Sequence, residues 1–147
     1  MKGCNKSEEF AKINPMQQIP AMQEINLETG ETFNLAQSTA ILRYLASTRD
    51  VSDHWYPKEP RARAQVDMYL DQHHSFLRPG VSMSMLAMTM PRITKKALDM
   101  ELFEKNKGIL HRALQDLERR LSNQDFICSK TQISIADLTA ACELDQV

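Results

Sequence analysis

The chain has 147 residues, enough for one modest domain or two small pieces sharing a core, and its 42% apolar and 25% charged residues are a globular composition. With 18 basic and 19 acidic side chains the net charge is −1, which removes the bulk electrostatic case for nucleic acid or an anionic membrane and leaves a small molecule or another protein as partner. Cys4, Cys128 and Cys142 are widely spaced with no C-x-x-C, fitting reduced cytosolic thiols rather than a disulfide frame or zinc site; the opening MKGCNKSEEF has no apolar h-region, and no apolar run approaches the about 18 residues of a membrane span.

Ser7, Glu8 and Glu9 before Phe10, Ala11 and Ile13 read as a short helix with an acidic start, which must stop before Asn14-Pro15. After Pro20, the run Ala21, Met22, Ile25, then Glu28-Thr29-Gly30-Glu31, then Thr32, Phe33 and Leu35 predicts a strand, a generous turn and a second strand. Ser38 reads as the cap of a helix with Ile41, Leu42, Tyr44 and Leu45 on one face, ending near Ser47-Thr48. Residues 1–48 therefore mix helix and strand, 49–59 read as a linker, and 60–147 read as helical.

Pro60 suits the first turn of a helix, and Ala62, Val66, Tyr69, Leu70, His73, Phe76 and Leu77 recur at helical spacing until Arg78-Pro79-Gly80 ends the run. Periodicity does not separate strand from helix in VSMSMLAMTM, and the helical neighbourhood decides for helix. From Thr94 to Leu121 the apolar set Leu98, Leu102, Phe103, Leu110, Ala113, Leu114, Leu117 and Leu121 predicts one long amphipathic helix. Ser134 with Asp137 is a capping-box variant that starts a last helix, with Ile133 and Leu138 at the staple positions. His73 and His74 are adjacent on a helix, so they point about 100° apart and form no metal site without ligands at i+4.

The succession NPMQQIPAM, the hairpin, AQSTAILRYLA, DHWYPKEPRARAQVDMYLDQHH and ISIADLTAACEL resembles the cytosolic glutathione S-transferases, most closely their theta class, over nearly the whole chain. The resemblance implies an α+β architecture: a partial thioredoxin-like domain over residues 1–48, a linker over 49–59, and an incomplete all-α domain over 60–147. It makes Ile19-Pro20 a cis-proline turn whose backbone N–H and C=O meet the cysteinyl part of glutathione, where the residues alone favour an ordinary trans proline beside an edge strand. Gln37 and Ser38 match the pair that grips the γ-glutamyl end, although Ser38 alone also reads as a simple N-cap. The family commonly has Glu at Gln37, His at Asn5 and Lys at Gln18, so the glutathione site, to which Gln18 also belongs, is electrostatically diluted. Arg78 matches a theta-class arginine beside the ligand sulfur, where a cation favours thiolate, or it complements a helix C-terminus. Met83, Met85, Met88 and Met90 suit an apolar pocket for electrophiles or fill a core.

In the family the catalytic hydroxyl, a serine in theta-like members, lies at the end of a first strand, and MKGCNKSEEF aligns after that strand, a helix and a second strand. The resemblance therefore assigns no residue here to the activating role and marks the chain as a fragment, short at both ends, with little activity as written. Its co-substrate is glutathione, with no cofactor and no metal, its second substrate a small apolar electrophile, and its location the cytoplasm. A homodimer through the helix from Pro60 to Arg78 is the implied assembly. The alternative is a non-catalytic transferase-fold module for protein interaction; a thiol enzyme built on Cys4 is a third reading, but Cys4 matches no nucleophile position of the family.

Overall fold

The structure, a computed structural model, describes residues 3–95, 97 and 99–146, with the backbone alone for 90–92 and 94. The chain forms two compact units, Met1–Val51 and Ser52–Val147.

In the first unit a short 3-10 turn, Cys4–Lys6, precedes helix α1, Glu8–Ile13. Ser7 starts α1 by accepting the Phe10 N–H on its hydroxyl, which satisfies one of the amides that a helix start leaves without a partner. Strands β1, Ala21–Ile25, and β2, Thr32–Ala36, form an antiparallel hairpin in the register Ala21↔Ala36 through Ile25↔Thr32. Asn26 builds the turn between them: its Oδ1 accepts from the Glu28 and Thr29 amides, and Gly30 supplies a left-handed φ of 72° that only glycine adopts without cost. Helix α2 spans Ser38–Thr48. It is tied to β1 at Glu24, whose Oε2 accepts from Tyr44 Oη at 3.0 Å and from the Arg49 guanidinium at 2.7 Å, while the Phe33 and Tyr44 rings lie 5.1 Å apart. The Arg49 bond first, then the Tyr44 bond, hold the Glu24 carboxyl below its usual range.

The second unit opens with a 3-10 turn, Asp53–Trp55, where His54 Nδ1 donates to the Ile133 carbonyl at 2.8 Å. Helix α3 spans Pro60–Ser75, with Pro60 in its first turn and the Glu59 carboxyl accepting from the Arg61 and Ala62 amides. Helices α4, Leu77–Thr94, α5, Met100–Leu121, and α6, Ile135–Leu144, follow. The Ser134 hydroxyl accepts from Ala136 N, and Asp137 Oδ2 accepts from Ser134 N at 2.9 Å, completing the predicted capping box of α6; Asp137 Oδ1 also accepts from Ile127 N at 2.7 Å. Val66, Tyr69, Leu70, Leu77, Val81, Ala113, Leu117, Ile135 and Ala140 form the buried core.

Three boundaries differ from the sequence reading. The run that was to end at Arg78-Pro79-Gly80 ends at Ser75, and Phe76, at φ −129° and ψ −73°, breaks the helix before α4 begins at Leu77. Pro79 is no terminator there, because it occupies the first turn of α4, where its missing N–H has no acceptor to lose. The long helix predicted from Thr94 starts instead at Met100, since Lys95 turns left-handed at φ 56° and Asp99 caps α5 by accepting the Leu102 amide. Leu98 of the predicted apolar set lies outside the described residues. Ser38 is the first helical residue of α2 rather than its cap: Gln37 holds the cap position at φ 75° and ψ 119°, with no side-chain capping bond.

Candidate functional site

The hairpin places four of the sequence-predicted residues at one of its ends. Ile19-Pro20 leads into β1 and Gln37-Ser38 leaves β2, and the pairing of Ala21 with Ala36 sets these two segments side by side. The Ile19-Pro20 peptide is cis, as the resemblance implies, and Ile19 is 72% exposed. Gln18, Pro20 and Gln37 are exposed as well, and Ser38 is half-buried at the first turn of α2. An eleven-residue helix starting there offers its N-terminal positive dipole end to an anion.

Asparagines shape the approach to Ile19. Asn14 is buried, and its Nδ2 donates to the Gln18 carbonyl at 2.7 Å while its Oδ1 accepts from the Met16 amide at 3.1 Å. Asn5 Nδ2 donates to the Gln17 carbonyl at 2.8 Å, and Gln17 N donates back to the Asn14 carbonyl at 2.8 Å. These bonds hold Gln17 in the left-handed region at φ 52°, and Gln37 across the hairpin end is also left-handed; such conformations in non-glycine residues persist only where surroundings fix them. The sequence reading treated Asn14 only as the residue that stops α1 and missed its part in the loop. The available signal was Asn-Pro itself, since a short side-chain amide satisfies backbone groups two to four residues on.

In the second unit Arg78 is the second residue of α4, not the last of the preceding helix. Its Nη1 donates to Glu143 Oε2 at 3.4 Å, and half of its side chain remains exposed. Glu143, only 4% exposed, also receives Ser82 Oγ at 3.1 Å on Oε1 and stands 3.3 Å from His73 Nε2. Burial pushes the His73 pKa down, with Glu143 opposing, so the imidazole leans toward its neutral form inside the core. Met83 and Met85 are half-buried on α4 and Met88 is 48% exposed; the Met90 side chain lies outside the described residues.

Around the turn at Asp53–Trp55 the same unit has a cleft of about 260 Å³ lined by Asp53, His54, Glu59, Cys128 and Ser129 among others. Burial raises the Cys128 thiol to about 12, which leaves it un-ionised and unreactive at neutral pH. Cys4 is exposed. Among the described residues no three His, Cys, Asp or Glu side chains gather as a metal site, and no helix is long and apolar enough to cross a membrane.

Residues 1–47 match the family model of the glutathione S-transferase N-terminal domain. Glutathione S-transferase theta-1 of Mus musculus is 38% identical over 145 residues, covering 97% of this chain and 58% of its own length; theta-2 of Rattus norvegicus is 32% identical, covering 99% and 57%. The crystal structure of human glutathione transferase theta-2 in complex with glutathione and an unknown ligand superposes with a TM-score of 0.84 at 32% identity, over 96% of this chain and 56% of that one. The chain thus spans somewhat more than half the length of the relatives it matches. Over nearly its whole length the chain is similar to theta-class glutathione S-transferases.

Proposed function

We propose that the protein acts as a theta-like glutathione S-transferase, binding glutathione at the hairpin end and serving its conjugation to small apolar electrophiles. The observation that carries the reading is the register of the hairpin, which brings the strand-entry backbone at Ile19-Pro20 together with Gln37, Ser38 and the start of α2. A γ-glutamyl carboxylate meets the positive end of α2 and the Ser38 hydroxyl, while the cysteinyl backbone pairs with Ile19 as an added strand would. Gln18 lies on the same edge, and its neutral amide makes a weaker contact than a cation. Conjugation gains from holding the thiol ready for attack as thiolate, and the exposed part of the Arg78 guanidinium is the cation proposed to favour it; no residue of this chain is assigned the activating hydroxyl. Met83, Met85 and Met88 are proposed to meet the electrophile, since thioethers adapt to varied apolar shapes.

The assembly proposed is a homodimer packed through α3 and the start of α4, in the cytoplasm, with no cofactor beyond the co-substrate. Titration calorimetry of the full chain with glutathione tests the reading. Saturable binding that weakens when Ser38 is replaced by alanine supports it. Absence of binding favours a non-catalytic module of the same fold, in line with the neutral residues Gln37, Gln18 and Asn5.

A further inference from the structure

We propose that Asn14 is a positioning residue for the glutathione site, an inference that rests on the function proposed above and adds a residue to it. Ile19 is 72% exposed, so its own side chain does not anchor its backbone and the fixing group lies elsewhere. The fixing group is the buried side-chain amide of Asn14. It uses both of its ends on the loop main chain, donating to the Gln18 carbonyl immediately before Ile19 and accepting from the Met16 amide. Only an amide does both: a carboxylate accepts but cannot donate, and a hydroxyl is too short to span the two groups.

The loop has little else to hold it. Pro15 has no N–H, Met16 is 70% exposed, and Gln17 is held left-handed, a conformation that costs a non-glycine residue free energy unless its neighbours impose it. The second strut, Asn5 to the Gln17 carbonyl, is only half-buried. Asn14 is therefore the buried polar group that converts a proline-containing loop into a fixed edge, and a ligand pairing with the Ile19 backbone is recognised through it. Loss of the Asn14 donor frees the Gln18 carbonyl and lets the Ile19 peptide leave the orientation that a cysteinyl amide requires.

The test compares two ligands on the full chain: glutathione, and the ester analogue in which oxygen replaces the cysteinyl amide N–H. Wild type should prefer glutathione by about tenfold, because the analogue leaves a backbone acceptor without its donor. Asn14→Asp keeps the acceptor toward Met16, loses the donor toward Gln18, and should bring the preference close to one. A loss of stability alone weakens both ligands equally and leaves their ratio unchanged, so the ratio separates positioning from folding. If Asn14→Asp does not fold, Asn5→Ala removes the outer strut, leaves Asn14 in place, and should shrink the same ratio in part. A wild-type preference that survives in the variant overturns the role of Asn14 while leaving glutathione binding intact; a wild-type chain that binds neither compound overturns both.

Discussion

The two units are held together by different physics. Every buried apolar side chain among the described residues belongs to the second unit, from Val66 to Ala140, whereas the buried residues of the first unit are Asn14 and Thr39, both polar. The loop leading into the hairpin is kept in shape by hydrogen bonds from Asn5 and Asn14, and the hairpin by the Asn26 turn and the Glu24 bonds to Tyr44 and Arg49. Such bonds contribute about 1 kcal/mol each, and a two-stranded hairpin is marginal in water by itself. The half that carries the proposed glutathione contacts is thus specified in direction and poorly supported in energy, while the half that carries the stability holds a buried Glu143 cluster and the capping box.

Truncating the core should produce the largest effect. Leu70→Ala, at a position with no exposure, should cost about 3 kcal/mol in urea unfolding, whereas Phe33→Ala, 45% exposed on the hairpin, should cost about 1 kcal/mol or less. Equal losses would break the contrast.

Next in size is the α4 and α5 crossing. A Cβ on Gly80 would stand 2.7 Å from Leu110 Cα, so Gly80→Ala should lose about 2 kcal/mol, while Gly108, with nothing within 4 Å, should gain about 0.5 kcal/mol on the same substitution. Thermal midpoints of the two variants should therefore move in opposite directions.

A smaller effect depends on pH. Burial lowers the His73 pKa below its ordinary 6.5, so the unfolded chain binds a proton that the folded chain resists. Stability from this group is complete above about pH 6.5 and declines as pH falls toward the lowered folded value. Glu143 faces the ring across 3.3 Å, and His74 and Arg78 add unfavourable charge to the protonated form. His73→Gln should flatten this part of the stability profile, and an unchanged slope between pH 6.5 and pH 5 would contradict it.

The smallest effect is chemical. Iodoacetamide at pH 8 should label the exposed Cys4 and Cys142 and spare Cys128 in the native chain, because its thiol titrates at about 12 and its Sγ sits 3.5 Å from the Gln65 carbonyl. Peptide mass spectrometry reads the difference, and rapid native labelling of Cys128 would show that its surroundings open.

What the sequence disclosed follows the same division. Local signals with a single physical meaning were legible: Pro60 in a first turn, the Ser134 and Asp137 box, the turn around Gly30, the acidic start at Ser7. The helix break at Phe76 was not, because apolar spacing runs through it, and Pro79 pointed to the wrong place since a proline reads alike at an end and in a first turn. The gap before Met100 was hidden by Leu98, which continues the apolar set, although Asp99 was a cap in plain view. At the site, Ile19-Pro20, Gln37 and Ser38 were visible through family resemblance alone. The left-handed backbone of Gln37 and the Asn14 bridge depend on which groups meet across the loop, and no residue spacing encodes that.

Amide hydrogen exchange of the full chain, with and without glutathione, tests the account most directly because it reads both units and the ligand site at once. Met22 to Leu35 should exchange far faster than the buried positions of α3 and α6, and glutathione should slow exchange at Ile19 and Ser38 while leaving Leu70 and Ala140 unchanged. Hairpin protection equal to that of the helical core, or a ligand effect absent from Ile19 and Ser38, would contradict it.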